Sequence, residues 1–485
     1  MNTLRKRRAE RLNKPPSLAL SIVIVLFFAT CFIIQLVQTG SPDVHMTMIF
    51  AAAFAIILLV IQGTTLEKIE EGIVHGCKIA TISMMILMFI GTMIPAWIAA
   101  GTIPTLIFYG LKMISPSVFL LTALLVCAIS TLATGTSWGT AATFGVVMMG
   151  IGHGLGVPAE WTAAAVVSGA IFGDSISPIS DTVNLAAGAC EVNVFKHLRA
   201  LLCCSIPAII LTAVIFLIMG FRFAGQNINA GQVDLIMNGL IKNFNVDPPH
   251  AIISLVPLVL VIVMVKFKIS ALATIAASAL SAMLMALLVQ GYDIYEMMRF
   301  MNYGFTIDSG IADIDTLMNR GGLQSMMWTV SLGYLGLSYG GILEKAGVLD
   351  SLLFSAKRIT QNMRNLILTH TFTGFITIML TASPYVSILI PGRMFIAGYD
   401  KLGINKVVAS RTCETSGICL DPMLPWTLGG VFFSGALGVK PLDYAPFSFY
   451  LLITPVFAIF YALTGWFIPK NTDEENAAIR AKKMI

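Results

Sequence analysis

Long apolar segments separated by short polar ones make up most of the chain. A helix needs about 20 apolar residues to span a bilayer. Segments of that length occur at 17–38, 43–63, 77–99, 198–222, 249–266, 268–291, 322–343 and 445–468. We predict a spanning helix for each of them.

Two further apolar regions, 117–190 and 365–437, are interrupted by Gly, Ser, Thr, Pro and a few acidic residues. Interruptions at membrane depth are tolerated only where protein or a water-filled cavity surrounds them. The two regions align at a constant offset of 247 residues, which pairs Thr134 with Thr381, Gly145 with Gly392, Asp174 with Asp421, Pro178 with Pro425 and Gly188 with Gly435. This fixed offset predicts an internal duplication.

The placement of basic residues predicts that the two repeats have opposite orientations. Lys and Arg favour cytoplasmic loops. In the first half they flank the loops near residues 68–78 and 196–199, whereas the corresponding second-half loops, 292–321 and 440–444, have no basic excess. Other second-half loops are basic where their first-half counterparts are poor in Lys and Arg. Inverted repeats with broken helices are typical of secondary transporters.

The predicted fold is an all-α polytopic membrane protein with two inverted repeats. Each repeat has about five spanning helices plus a re-entrant hairpin and a broken helix. The predicted boundaries are a basic cytoplasmic tail at 1–16, repeats at 17–222 and 249–468, an extracytoplasmic linker at 223–248 and a cytoplasmic tail at 469–485. If each hairpin were instead two full crossings, each repeat would still have an odd number of crossings and the repeats would still be inverted. The sequence therefore leaves open whether these segments are hairpins or full crossings.

Composition narrows the possible function classes. The chain is 57% hydrophobic and 11% charged, with a mean hydropathy of +0.85, whereas about one-quarter of the residues in a soluble domain are charged. These values exclude a soluble enzyme, a nucleic-acid binder and a disordered scaffold. The eight cysteines lack metal-ligand spacing, so we expect no cofactor.

The acidic residues inside the broken regions are the candidate site. A carboxylate within a bilayer costs several kcal/mol unless it is paired, hydrated or protonated. The four such residues are Asp174, Asp181, Glu414 and Asp421. Because hard cations take oxygen ligands, we predict a Na+ site at Asp174, Ser177 and Asp181. The alternative is that these polar residues only cap helix ends, with Ser175 and Ser177 satisfying backbone groups.

Two arginines and the second hairpin tip are predicted to support this site. Arg411 and Glu414 are one helical turn apart and are able to pair, which would leave Asp174 or Asp421 as the working carboxylate. Arg393 would neutralise a carboxylate, face an anionic substrate or stabilise a neighbouring helix. Thr381 and Ser383 lie at the second tip, as Thr134 and Thr136 do at the first.

Several motifs resemble the NhaC-type sodium/proton antiporters of the ion transporter superfamily. They are GTIP at 101–104, GTSWGT at 135–140, GDSISPISDTVNLAAG at 173–188, PGR at 391–393, the spacing of Arg411, Glu414 and Gly417, and Pro425-Trp426. The resemblance covers about residues 60–440. It implies exchange of Na+ for H+ at the bacterial inner membrane, a scaffold with a moving transport unit, and often a homodimer. Relatives include exchangers of small carboxylates.

The resemblance also implies a set of site residues: Asp174, Ser175, Ser177, Asp181, Thr182, Asn184, Thr136, Ser137, Glu414 and Thr415. The chain departs from the family pattern at Val183, at Asp421 (where a small hydroxyl residue is usual) and at Thr427. These departures leave the substrate open.

Two alternatives therefore remain. One is a sodium- and proton-coupled exchanger of small carboxylates of the malate/lactate type, which needs a cationic or helix-N-terminal anchor. The other, remote, is an intramembrane aspartyl protease based on Gly173-Asp174 and Tyr399-Asp400. Against it, the two motifs occur in reversed order, and Ile171 stands where that signature has Gly.

Overall fold

The computed structural model describes residues 15–39, 43–224, 230–244, 246, 248–356, 360–473 and 476. These residues form helices joined by short connections, with one isolated β-bridge between Ile404 and Lys470. Nearly all of the basic tail predicted at 1–16, and most of the tail predicted at 469–485, lie outside the described residues. So does part of the linker predicted at 223–248.

The first half contains nine helices within the described residues. They are α1 (Leu18–Thr39), α2 (Val44–Gln62), α3 (Leu66–Ala99), α4 (Thr102–Met113), α5 (Pro116–Thr134), α6 (Ser137–Thr140, the π-helical turn Ala141–Gly145 and Val146–Gly154), α7 (Ala159–Ser175), α8 (Asp181–Ala189) and α9 (Val194–Ala224).

The remaining described helices, apart from the short segments Asp421–Met423 and Pro441–Phe447, follow in the same order. They are α10 (Ala230–Asn243), α11 (Pro248–Lys266), α12 (Ala271–Gln290), α13 (Ile294–Tyr303), α14 (Ala312–Met318), α15 (Leu323–Lys345), α16 (Val348–Ala356), α17 (Met363–Thr381), α18 (Pro384–Lys401), α19 (Val407–Cys413 and the π-helical turn Glu414–Ile418), α20 (Leu428–Leu437) and α21 (Phe449–Thr464).

The prediction of an all-α polytopic membrane protein is confirmed. Seven described helices are long and apolar enough to cross a membrane, and the pair Pro441–Phe447 and Phe449–Thr464, bent by 58°, would add an eighth. Helix α15 also forms where a span was predicted, although it is less apolar. Glycines of both α3 and α15 allow these helices to pack closely: a Cβ added at Gly76 of α3 would lie 2.1 Å from the Leu337 carbonyl oxygen of α15, and one at Gly341 of α15 would lie 2.2 Å from the Gly72 carbonyl oxygen. Small residues let membrane helices approach in this way.

The helix boundaries repeat at the offset found in the sequence. Helices α5 and α17 each have 19 residues, and each starts 247 residues from its counterpart. The same offset relates the first residues of α6 and α18, and those of α8 and α20. These repeated boundaries support the duplication, while the opposite orientation of the two halves stays a prediction.

The turns at the two hairpin tips also share one geometry. Gly135 and Ala382 both adopt left-handed backbone angles, with φ of 71° and 56°. The hydroxyl oxygen of Thr134 accepts the N–H of Thr136 at 3.4 Å, and that of Thr381 accepts the N–H of Ser383 at 3.3 Å. Each turn reverses the chain between two helical arms, as the sequence predicts for a hairpin.

Candidate cation site at the helix breaks

The two hairpin tips and the two broken helices meet at one cavity of about 380 Å³. Its polar lining includes Thr136, Ser137, Asp174, Asp181, Thr182 and Asp421. Pro384 and Tyr385, at the start of α18, complete the lining from the second tip. Because both tips line the same cavity, they end inside the molecule, which favours re-entrant hairpins over full crossings.

Asp174 lies in the last turn of α7 and is held by the first hairpin tip. Its Oδ2 accepts hydrogen bonds from the Ser137 hydroxyl at 2.6 Å and from the Ser137 backbone N–H at 3.3 Å. No described residue donates to its buried Oδ1. A buried polar atom without a partner is costly, so this oxygen is suited to hold a cation or a proton.

Asp181 is the first residue of α8 and is linked to the second hairpin. The Tyr385 hydroxyl donates to its Oδ2 at 2.9 Å, and the Thr182 backbone N–H lies 3.0 Å from its Oδ1. Sequence reasoning missed Tyr385. The available signal was its position 247 residues after Trp138, within the GTSWGT motif.

Asp421 is held differently from Asp174, although the two occupy equivalent repeat positions. Its Oδ1 accepts the N–H of Gly429 at 3.1 Å, near the start of α20, where a helix favours negative charge. A Cβ at Gly429 would lie 2.1 Å from Oδ2, so glycine permits this approach. Pro384 stands where the first tip has Ser137 and lacks an N–H, so it cannot bind Asp421 as Ser137 binds Asp174.

Glu414 and Thr415 are buried in the π-helical turn of α19, outside the cavity lining. No described residue makes a hydrogen bond to either Glu414 oxygen or to the Thr415 hydroxyl. The predicted pair between Arg411 and Glu414 is not formed. Arg411 instead donates from Nη1 to the Phe467 carbonyl at 2.9 Å and to Cys203 Sγ at 3.1 Å.

A larger, mostly apolar cleft of about 1090 Å³ adjoins the cavity. The two share Thr136, Asp181 and Ser270. The cleft runs between the first hairpin and helices α11 and α12, and it includes Lys266, the last residue of α11, and Lys268 of the loop that follows. The cavity therefore communicates with the side of the molecule on which that loop lies.

The sequence matches the Na+/H+ antiporter family over residues 15–183 and 169–466. The chain belongs to this family. It is 34% identical to the malate-2H(+)/Na(+)-lactate antiporter of Bacillus subtilis, over 93% of the chain and 96% of that protein. It is also 34% identical to the Na(+)/H(+) antiporter NhaC of Alkalihalophilus pseudofirmus, over 95% and 97%, and to NhaC of Bacillus subtilis, over 93% and 98%. The predicted resemblance is confirmed.

Several family-implied residues lie beside the cavity of this antiporter-family chain without lining it. Ser177 is fully buried and donates to the Leu132 carbonyl at 3.1 Å. The Asn184 amide donates to the carbonyls of Pro178 and Ser180. Ser175 is buried at the end of α7. Ser177 and Asn184 thus satisfy backbone groups at the helix break, as the capping alternative predicts.

The residues predicted to support the site, and the second aspartate of the protease motif, lie outside the cavity lining. Thr381 and Ser383 build the second tip, and Ser383 caps α18 by accepting the N–H of Val386. Arg393 is exposed on α18, outside the cavity lining. Asp400 is not among the residues that line the cavity and pairs with Lys406 at 3.5 Å. The two aspartates of the protease motif, Asp174 and Asp400, therefore do not share one site.

Proposed function

We propose that this antiporter-family chain exchanges Na+ for H+ across the bacterial inner membrane, with both termini in the cytoplasm. The observation that carries the proposal is Asp174, whose second oxygen is buried, unpartnered and placed at an acidic cavity. The Na(+)/H(+) antiporter relatives support it. Assembly as a homodimer is part of the proposal and rests on the family resemblance.

The cavity offers the oxygen ligands that a hard cation requires. Asp174 and Asp181 supply carboxylate oxygens, and Thr136, Ser137 and Thr182 add hydroxyl oxygens. A bound Na+ neutralises the charge of the Asp174 carboxylate. When the ion leaves, Asp174 takes up a proton, because an uncompensated buried charge is costly. One site that holds either cation, but not both, couples their movements in opposite directions.

The charge of the lining favours a cation over an organic anion. Three carboxylates line the cavity, and none of the described lining residues is Lys, Arg or His. A carboxylate substrate would meet like charges at short range. The two lysines of the adjoining cleft, Lys266 at the end of α11 and Lys268 in the loop that follows, do not line the cavity. The geometry therefore supports Na+/H+ exchange better than the malate/lactate alternative.

Exchange also requires that the site opens to one side at a time. In this structure the cavity joins the cleft that includes Lys266 and Lys268, and basic loops favour the cytoplasm. We therefore assign this conformation to an inward-facing state. We assign the hairpins and broken helices to the moving unit, with α3 and α15 in the scaffold.

Substitution of the central carboxylate tests the site. Asp174→Asn keeps the shape but removes the charge, so Na+-dependent proton movement in everted vesicles should fall to background at unchanged membrane insertion. Asp308→Asn, in an exposed loop, is the matched control and should exchange like the unmodified protein. Full exchange by Asp174→Asn would contradict the assignment.

A further inference from the structure

A second cavity, of about 430 Å³, lies further along α3. Ile86 of α3 lines the first cavity and Ile94 lines the second, which separates them by about 12 Å along the helix axis. The second cavity is bounded by residues 303–306 and 319–321, the first turns of α15 and the end of α20. It faces the end of α3 opposite to the basic residues at 68–78.

The charge of this cavity is opposite to that of the first. Arg320 is the one charged residue among the described residues of its lining, and none of those residues is acidic. No described residue forms an ion pair with Arg320. Hydroxyl groups of Thr306, Thr329 and Ser434 also line the cavity, whereas the Ser325 hydroxyl there already donates to the Gly322 carbonyl at 2.7 Å. Hydroxyls beside an unpaired guanidinium provide hydrogen-bond donors to an anion.

The backbone around Arg320 is fixed by hydrogen bonds. The Phe305 N–H donates to the Arg320 carbonyl at 3.2 Å, and the Gly322 N–H donates to the Gly91 carbonyl of α3 at 2.7 Å. Gly304 and Gly321 have φ of 105° and 83°, which side chains other than glycine rarely adopt. The loop thus holds Arg320 in a defined place against α3.

The chemistry of the lining selects the class of ligand. A guanidinium binds a carboxylate through two parallel hydrogen bonds. Ile94, Phe305 and Met326 form an apolar wall beside the polar groups, and the volume lies within the range of small-molecule pockets. We propose that the Arg320 cavity binds a small organic carboxylate. This proposal does not depend on Na+/H+ exchange at the first cavity.

Direct binding to the purified full-length protein tests the proposal. Isothermal titration with acetate, L-lactate and L-malate should show saturable binding of at least one of them. Arg320→Gln should weaken that binding roughly tenfold or more, because it removes a charge-assisted pair. Arg320→Lys should weaken it less. Arg299→Gln, which changes an exposed arginine on α13, should bind like the unmodified protein.

Two further titrations distinguish the Arg320 cavity from the first cavity and from a general anion site. Asp174→Asn should bind the carboxylate with unchanged affinity, since that residue lies in the first cavity. Chloride, titrated alone, should bind more weakly than the best carboxylate. The proposal is overturned if the unmodified protein binds none of the three carboxylates, or if Arg320→Gln or chloride matches the best affinity. If Arg320→Gln does not fold, Ser434→Ala is measured in its place. Carboxylate affinities equal to that of the unmodified protein in both Ser434→Ala and Arg320→Lys would then overturn the proposal.

Discussion

At the residue scale, Asp174 and Asp421 occupy equivalent repeat positions but have different hydrogen-bond donors. The difference follows from one position, where the first repeat has Ser137 and the second has Pro384. Ser137 gives Asp174 two hydrogen bonds, whereas Pro384 has no N–H to give Asp421. Asp421 is bound instead by Gly429, near the start of α20. The two carboxylates thus receive donors from different elements, and Asp174 retains an open oxygen.

Tyr385 is the residue that ties the second hairpin to the first broken helix. Tyr385→Phe removes the hydroxyl that donates to Asp181, so the carboxylate loses its fixed orientation. We expect the apparent KM for Na+ to rise by roughly tenfold or more, as for loss of one hydrogen bond to a charged group, which is worth about 1.5–3 kcal/mol. Initial rates of proton movement against Na+ concentration measure this.

The control for Tyr385→Phe is Tyr295→Phe, because Tyr295 is 80% exposed on α13. It should leave the KM unchanged. An unaltered KM in Tyr385→Phe would show that the hydrogen bond does not position Asp181 for the cation.

At the scale of elements, the packing of α3 against α15 depends on glycines in contact with backbone. Gly72 and Gly76 of α3 face the α15 carbonyls of Gly341 and Leu337 at distances too short for a Cβ. Close approach of this kind supplies the van der Waals contacts that hold membrane helices together. This close packing supports the assignment of the two helices to the scaffold, which we propose above.

Gly76→Ala should separate α3 from α15, because the new Cβ would overlap the Leu337 carbonyl. Overpacking of this kind costs about 1–3 kcal/mol, so the thermal unfolding temperature of the purified protein should fall by several degrees. Gly188→Ala, where the space is open, should leave it unchanged or raise it. Equal unfolding temperatures for the two variants would show that close contact at Gly76 does not stabilise the helix pair.

The sequence pattern predicts the elements better than the partners of individual side chains. Apolar runs and the 247-residue offset locate the helices, the two breaks and the acidic residues, because these depend on local composition. The partner of Arg411, the bond between Tyr385 and Asp181, and the Arg320 cavity depend on segments far apart in the chain. Packing in three dimensions decides such contacts, and a single sequence does not reveal it.

At the scale of the whole molecule, charge is distributed between two cavities of opposite sign. The carboxylates lie where the hairpins and broken helices meet, and Arg320 lies in a separate cavity further along α3. In a chain with only 11% charged residues, each isolated internal charge is costly; Arg411 and Glu414 are also buried, but outside the lining of both cavities. The molecule-scale prediction is that cation exchange and carboxylate binding respond to different substitutions.

Reconstitution of the purified protein tests whether Na+ and H+ are exchanged through Asp174. Proteoliposomes with a trapped pH-sensitive dye are given an outward Na+ gradient, and the internal pH is recorded with Na+, K+ and choline in turn. We predict that Na+ efflux acidifies the interior, that choline does not, and that Asp174→Asn abolishes the change. An internal pH that does not respond to the Na+ gradient, or that responds equally in Asp174→Asn, would contradict exchange at this site.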